Sequence, residues 1–377
     1  MYKCVAIYPH EINKEYLLKV NNTIDMAFNY GFNEVFTTIH LPEYPLDLQI
    51  DTLDIINKKA KEKGMEISVD IGGNYINEVL ENTEYINKLK KFKIDYLRLD
   101  YGFNFKQVKE LYEKLNVSGF VINASIYNEI ELGEIVDSFY NIDKKIRLRA
   151  CHNYYLRNES GIDDVFALRQ DLIFKKYNIP VYYCIPTTSN PRGPLYLGLC
   201  TIEKHRQMDI KDILVDLYLN HSLEAFMTSD EWLTEDEFKS IKETLTYLQK
   251  PLNKQEDIQI EFYNQVNDKE KEIVCGLHHF RYDSPFTLLR SQSSRQMAEF
   301  ASEIRPLNMV SRKKGDITID NINNKRYSGE IQVVFKDLKE DERINVVGRV
   351  IRQEDLIKLL RFKEGIIYNF IEAKYEN

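Results

Sequence analysis

No stretch of about 18 consecutive apolar residues occurs in this sequence, and no apolar leader precedes the first strand-like run at residues 4–8. Neither a membrane anchor nor a secretion signal is therefore expected, and the chain reads as cytosolic. Cysteine is scarce: five residues, at positions 4, 151, 184, 200 and 275, with no CxxC pair. An odd, scattered set argues for reduced thiols rather than bridges or zinc. Neither sign of charge forms a long block. The balance of 51 basic against 59 acidic residues gives a net charge of −8, which excludes a general nucleic-acid surface. The sequence also lacks GxSxG, GxxxxGK[ST] and a GxGxxG after the first strand, so serine-hydrolase, P-loop and dinucleotide readings fall away. No lysine stands at the C-terminal end of the sixth strand candidate; Lys144 and Lys145 precede it, which disfavours a Schiff-base aldolase. No cofactor and no resident metal is expected.

What is present is a repeated two-faced pattern. Ile67, Val69 and Ile71 alternate with Ser68 and Asp70; Leu97 and Leu99 with Arg98 and Asp100; Ile122 and Ala124 with Asn123 and Ser125; Ile146, Leu148 and Ala150 with Arg147 and Arg149, leading on to Asn153. Strand side chains alternate between faces. In a parallel barrel the helices cover the oily outer face, so the polar set points inward near the mouth, where such folds keep their chemistry.

Eight strand candidates can be counted, at 4–8, 34–39, 66–71, 95–100, 119–124, 146–151, 180–186 and 223–228. Helical periodicity follows them, for example over 14–30 with Gly31 as stop, 46–63 with Gly64 as stop, 74–92, and 235–250, which opens on a Thr234/Glu237 capping box and ends at Pro251. Eight alternations over about 250 residues predict a (β/α)8 barrel. After the polar linker 250–257 the rhythm changes to short strands at 258–262, 272–275, 287–290, 316–320, 330–335 and 344–351, without intervening helices. A barrel over 1–250 and a small all-β domain over 257–377 follow.

The loop 190–206 (NPRGPLYLGLCTIEKHR) is far longer than a plain barrel connection. It offers the carboxylate of Glu203 and the cations Arg192, His205 and Arg206; the competing reading pairs Glu203 with Arg206 on a short helix. The remaining candidates at strand ends are Asp70, Asp100 and Asp230, with Asn123, His152 and Asn153. Several carboxylates around a barrel mouth suit glycoside hydrolysis, in which one protonates the leaving oxygen and another acts as base or nucleophile. Glu203 and Asp100 form the preferred pair and Asp70 the reserve. The same groups suit a metal-dependent sugar-phosphate isomerase or epimerase through Asp100, His152, Glu203 and Asp230. Arg98 and Asp100, two apart on one strand, are equally readable as neutralising each other. In the smaller domain Arg281, Arg290 and Arg295 fall in one segment and are expected to supply anion contacts at the barrel mouth, against a plain alternative of surface pairing.

The runs LRLDYGF (97–103), VINAS (121–125), RACHNYY (149–155), RGPLYLGLCTIEKHR (192–206), GDITIDN (315–321), GEIQVVFKDL (329–338) and RINVVGRVI (343–351) together resemble the bacterial 6-phospho-N-acetylmuramidase (MupG-type) family. The resemblance spans both domains in order. It implies a TIM-like barrel followed by a cyclophilin-like β domain, and intracellular cleavage of MurNAc 6-phosphate-GlcNAc during peptidoglycan recovery. It carries the site to Asp70, Asp100, Asn123, His152, Asn153, Arg192, Glu203, His205 and Arg206. Leu197 and Cys200 depart from the family pattern, and Leu197 keeps a non-catalytic phosphosugar-binding protein in view. The expected partner is a small phosphorylated disaccharide, with no nucleic acid and no membrane; a homodimer is left open.

Overall fold

The computed structural model describes residues 1–221, 223–297 and 304–373. Its chain forms two compact units, 1–244 and 245–377.

The first unit is a closed parallel barrel of eight strands in sequence order: β1 (Tyr2–Ala6), β2 (Glu34–Thr38), β3 (Glu66–Ile71), β4 (Tyr96–Leu99), β5 (Gly119–Asn123), β6 (Arg147–Cys151), β7 (Val181–Ile185) and β8 (Ala225–Thr228). Helices alternate with them. Five of these open on an Asn or Asp whose side chain accepts backbone N–H groups of the first turn: Asn13, Asn82, Asn104, Asn128 and Asp163. Those groups have no partner within the helix, so a short acceptor side chain fixes where each helix begins. The single helix expected over 74–92 is two, Asn74–Glu81 and Thr83–Phe92. Asn82 stands between them in extended conformation and takes the N–H groups of Glu84 and Tyr85. A helical period does not register that break, because both halves keep an apolar face.

Strand alternation fills the barrel in layers, as side chains of alternate strands do in this architecture. At the N-terminal end Arg149 donates to Glu34 (2.9 Å) and Glu66 (2.6 Å) and lies between the rings of Tyr2 and Tyr96, 4.2 and 3.8 Å from their centres. Above it comes an apolar layer including Cys4, Phe36, Val121, Cys151, Cys184 and Met227. The polar layer of the mouth is the third.

The second unit is a mostly β domain. Its sheet runs β10-β15-β9-β14-β12-β13-β11, with β9 Gln255–Phe262, β10 Leu277–His279, β11 Leu288–Arg290, β12 Asp316–Asp320, β13 Ile331–Val334, β14 Ile344–Val350 and β15 Ile367–Glu372. All its pairings are antiparallel except β15 with β9. One face packs around Ile258, Ile260, Ile317, Ile319, Val333 and Phe370. The strand expected at 272–275 is instead the end of a helix, Asp268–Val274. Ile273 and Val274 are buried there, and the reciprocal cap of Asn267 with Glu270 starts the helix. A second helix, Gln353–Leu360, and strands β10 and β15 carry no counterpart in the expected set.

Candidate active site at the barrel mouth

Asp70 on β3 lies beside Arg98 on β4 in the strand register. Both face inward, because each sits between outward apolar neighbours. The Arg98 guanidinium donates through Nη1 to Asp70 Oδ1 (2.9 Å) and through Nη2 to Asn153 Oδ1 (3.0 Å), and Nη2 lies 3.1 Å from Asp100 Oδ1. Asn123 donates to the same two acceptors, Asn153 Oδ1 at 2.9 Å and Asp100 Oδ1 at 3.3 Å. Five side chains from four consecutive strands thus close one network. Burial alone would weaken the charge on Arg98, but Asp70 and Asp100 outweigh it and hold the guanidinium firmly protonated. The two carboxylates differ in access. Asp100 is 26% exposed and Asp70 only 7%, so Asp100 faces the space a ligand enters. His40 approaches Asp70 from β2's end, its Nδ1 3.7 Å from Oδ2.

The other candidates divide. His152 faces the opposite way from its neighbours: Cys151 is inside the barrel and Asn153 joins the mouth, so strand alternation turns His152 outward. It is buried, its Nδ1 is 2.9 Å from Ser125 Oγ, its ring packs on Tyr183, and burial pushes it down to about 4. It is a packing residue, not a sugar contact. Glu203 and Arg206 form a bidentate pair, both bonds 2.7 Å. Glu203 also accepts the N–H groups of Glu159 and Gly161, and Arg206 donates to the carbonyls of Tyr155, Arg157 and Gly198. The hydrogen bonds from Arg206 hold Glu203 down to about 2, which is unsuited to proton donation at neutral pH. This pair clasps two loops together. His205 is also turned inward, 2.7 Å from Asp216, and burial lowers its affinity for a proton, so it is not a mouth cation. Asp230 accepts the backbone N–H groups of Thr187, Arg192 and Leu199, and so shapes the long loop rather than facing a ligand.

Of the three loop cations Arg192, His205 and Arg206, Arg192 is the one without a carboxylate at hydrogen-bond distance. It lies on the Tyr8 ring, 3.8 Å from its centre, with Nε 3.9 Å from Glu231. In the second unit Arg281 and Arg290 converge on buried Glu330, at 3.4 and 2.5 Å, and Arg295 also lies 3.4 Å from it. Their first partners lie within their own unit.

Asp100, His152, Glu203 and Asp230, the ligand set of an isomerase reading, each belong to a different local network and share no centre. Among the described residues, Asp164, Asp216 and His221 are the three that could hold an ion together, but Lys204 Nζ already lies 2.7 Å from Asp164 and 2.8 Å from Asp216.

The sequence pattern also contained residues that the reading of it did not single out. Continuing the inward alternation of β1 through Tyr2, Cys4 and Ala6 leads to Tyr8 and His10; β8 leads on to Ser229, Glu231 and then the sole tryptophan, Trp232.

Fold and mouth together define the class: a (β/α)8 barrel with paired carboxylates and amides at the C-terminal ends of its strands. The N-terminal model of 6-phospho-N-acetylmuramidase matches residues 4–243, and the C-terminal model of the same family matches residues 257–366. The chain belongs to the 6-phospho-N-acetylmuramidase family, a family of glycosidases. Among solved structures, a conserved Enterococcus faecalis protein of unknown function is 26% identical, with 99% of this chain and 96% of that one covered and a TM-score of 0.61. An uncharacterized B. cereus protein is 23% identical, with 98% and 99% covered and the same TM-score, and shares the fold. No curated protein matches the chain. No helix among the described residues is long and apolar enough to cross a membrane.

Proposed function

We propose that the protein is a cytoplasmic glycoside hydrolase that cleaves a 6-phosphorylated amino-sugar disaccharide of the MurNAc 6-phosphate-GlcNAc type in peptidoglycan recycling. The observation that carries this reading is the network of Asp70, Arg98, Asp100, Asn123 and Asn153 at the mouth of a family-matched barrel. Asp100 and Asp70 are the carboxylate pair in place of Glu203 and Asp100. Glycoside hydrolysis needs one carboxyl group to protonate the leaving oxygen and a second to act as base or nucleophile. Arg98 fixes both oxygens at one guanidinium, while Asn123 and Asn153 present amides suited to sugar hydroxyls or an N-acetyl group. Arg192 is the anion contact for the phosphate, since a guanidinium matches phosphate oxygens in a forked geometry.

The deciding experiment compares kcat/KM for MurNAc-GlcNAc with and without the 6-phosphate, with product NMR to give the stereochemical outcome. A charge-assisted contact is worth about 1.5–3 kcal/mol, so the phosphorylated substrate should be preferred by roughly tenfold to a hundredfold. Equal values overturn the phosphate requirement. Binding of the phosphodisaccharide without turnover overturns the hydrolase reading in favour of a phosphosugar-binding protein.

A further inference from the structure

A cleft of about 320 Å³ opens where the chain leaves β1 and β8, lined by His10, Tyr16, Tyr44 and Trp232 together with the surface groups of the first barrel helix. Its volume is at the small end for ligand pockets, the scale of a single sugar ring. The cleft is linked through Glu231 and Tyr8 to Arg192. Glu231 takes both contacts of His10 Nε2 (3.0 and 2.9 Å) and the N–H of Tyr8 (3.1 Å), and the Tyr8 ring carries Arg192.

Three features of this cleft belong to a binding site rather than to packing. Trp232 is held with φ at +58°, a backbone region costly for a bulky residue, and its carbonyl is tied to Asn190 at 2.7 Å. Its ring stays half-buried, set edge-on to Tyr16 at 6.1 Å and tilted against His10 at 6.2 Å. The strain thus holds an indole at a cavity wall instead of in the core. His10 is the second feature. With Nε2 facing both oxygens of a carboxylate, that nitrogen is the donor, and in the neutral ring Nδ1 is an acceptor with only Tyr44 Oη at 3.5 Å, a marginal distance. A ligand hydroxyl or amide is the stronger donor for it. Charge is the third feature. Glu11 and Glu15 line the cleft against a single Lys19, which lies 2.8 Å from Glu15. Counting those three groups gives 1 − 2 = −1, and Glu231 beneath His10 is offset by Arg192, whose Nε lies 3.9 Å away. An anionic ligand is repelled here and a neutral one is not.

We propose that this cleft binds the uncharged sugar of the substrate, with Trp232 as the stacking face and His10 Nδ1 as acceptor for a hydroxyl or acetamido N–H. The inference rests on the glycosidase reading for what lies on the other side of the scissile bond, and assigns the phosphorylated sugar to the Arg192 side. Aromatic faces suit pyranose rings because a sugar presents a patch of C–H groups on one face while its hydroxyls point outward.

Trp232 is the only tryptophan of the chain, so its fluorescence reads occupancy of this cleft without regard to turnover. Titration of the full chain with N-acetylglucosamine should shift the emission saturably. N-acetylglucosamine 6-phosphate should bind at least about tenfold more weakly, the size expected from one unfavourable charge contact. No saturable shift with N-acetylglucosamine, or an equal response to both sugars, overturns the proposal. His10→Ala, made in the same chain and checked for native circular dichroism, should weaken the N-acetylglucosamine titration by about tenfold, the loss of one hydrogen bond to a ring nitrogen; an unchanged titration overturns the role of His10. If the titration behaves as expected but no phosphodisaccharide is hydrolysed, the glycosidase reading fails and the sugar site stands. If the disaccharide is hydrolysed while the emission never moves, the subsite fails and the glycosidase reading stands.

Discussion

Arg98 is the residue on which the mouth depends. It is 9% exposed and serves Asp70, Asp100 and Asn153 at once. Replacing it with methionine keeps most of the volume but leaves Asp70 buried without a cation. Breaking a buried pair from one side costs about 3–5 kcal/mol, so Arg98→Met should lower the urea midpoint strongly as well as abolish turnover. A variant as stable as the parent would show that the charges are not coupled as their geometry requires. Asp100 and Glu203 separate cleanly: Asp100→Asn should cut kcat by about two to four powers of ten, whereas Glu203→Gln should change kcat by less than about tenfold and act mainly on stability. The reverse ranking would return Glu203 to the chemistry. Asp70, Asp100, Asn123 and Asn153 were legible in the sequence because alternate residues share a face. Their organiser was not. Asp70 and Arg98 are 28 positions apart and meet only because β3 and β4 pair in a register that no local pattern encodes. His152 was misassigned for the opposite reason: the alternation that places Asn153 inside already places His152 outside.

Elements differ in how far their ends are written into the chain. The barrel strands were found because their two faces meet different surroundings, and in the structure Asn and Asp caps mark five helix starts. The interruption at Asn82 has the same chemistry, since its side chain holds two first-turn N–H groups. Asn82→Ala should therefore cost about 0.5–2 kcal/mol in chemical unfolding, and a neutral effect would mean that packing alone sets the break. In the smaller unit the helix Asp268–Val274 was read as a strand, because Ile273 and Val274 have β-branched side chains and seven residues are too few to display a helical period. In the seven-stranded sheet the three-residue β11 was legible at 287–290, while β10 and the six-residue β15 were not. The three-residue strands β10 and β11 are defined by partners distant in sequence.

Across the whole molecule, two carboxylates set opposite limits on stability with pH. Glu203 is depressed to about 2 by its bonds with Arg206; its contribution is complete above the unfolded value near 4.5 and is lost as pH falls through about 2. Asp320 is raised to about 7, first by burial and then by Glu330; it favours the fold fully below about 3.8, and that contribution is lost as pH rises through about 7. Thermal midpoints should rise as pH climbs from about 2 to about 4.5 and fall as it climbs on to about 7, and Asp320→Asn should flatten the upper side while Glu203→Gln flattens the lower. Midpoints of Asp320→Asn that still fall between about pH 4 and 7 as steeply as those of the parent would refute the upper limit.

The cation at the closed end of the barrel bears on how the chain is made. Arg149 on β6 satisfies Glu34 on β2 and Glu66 on β3, partners 115 and 83 residues earlier. A nascent chain that has emerged only as far as β5 holds the buried carboxylate of Glu34 inside an incomplete cylinder, and the partly exposed Glu66 at its end, without the arginine that pairs with both. Burying such a charge unpaired is prohibitive, so the first five units are expected to remain open and hydrated on the ribosome. The arrival of one arginine then lets the cylinder shut, and the order of synthesis becomes the order of closure.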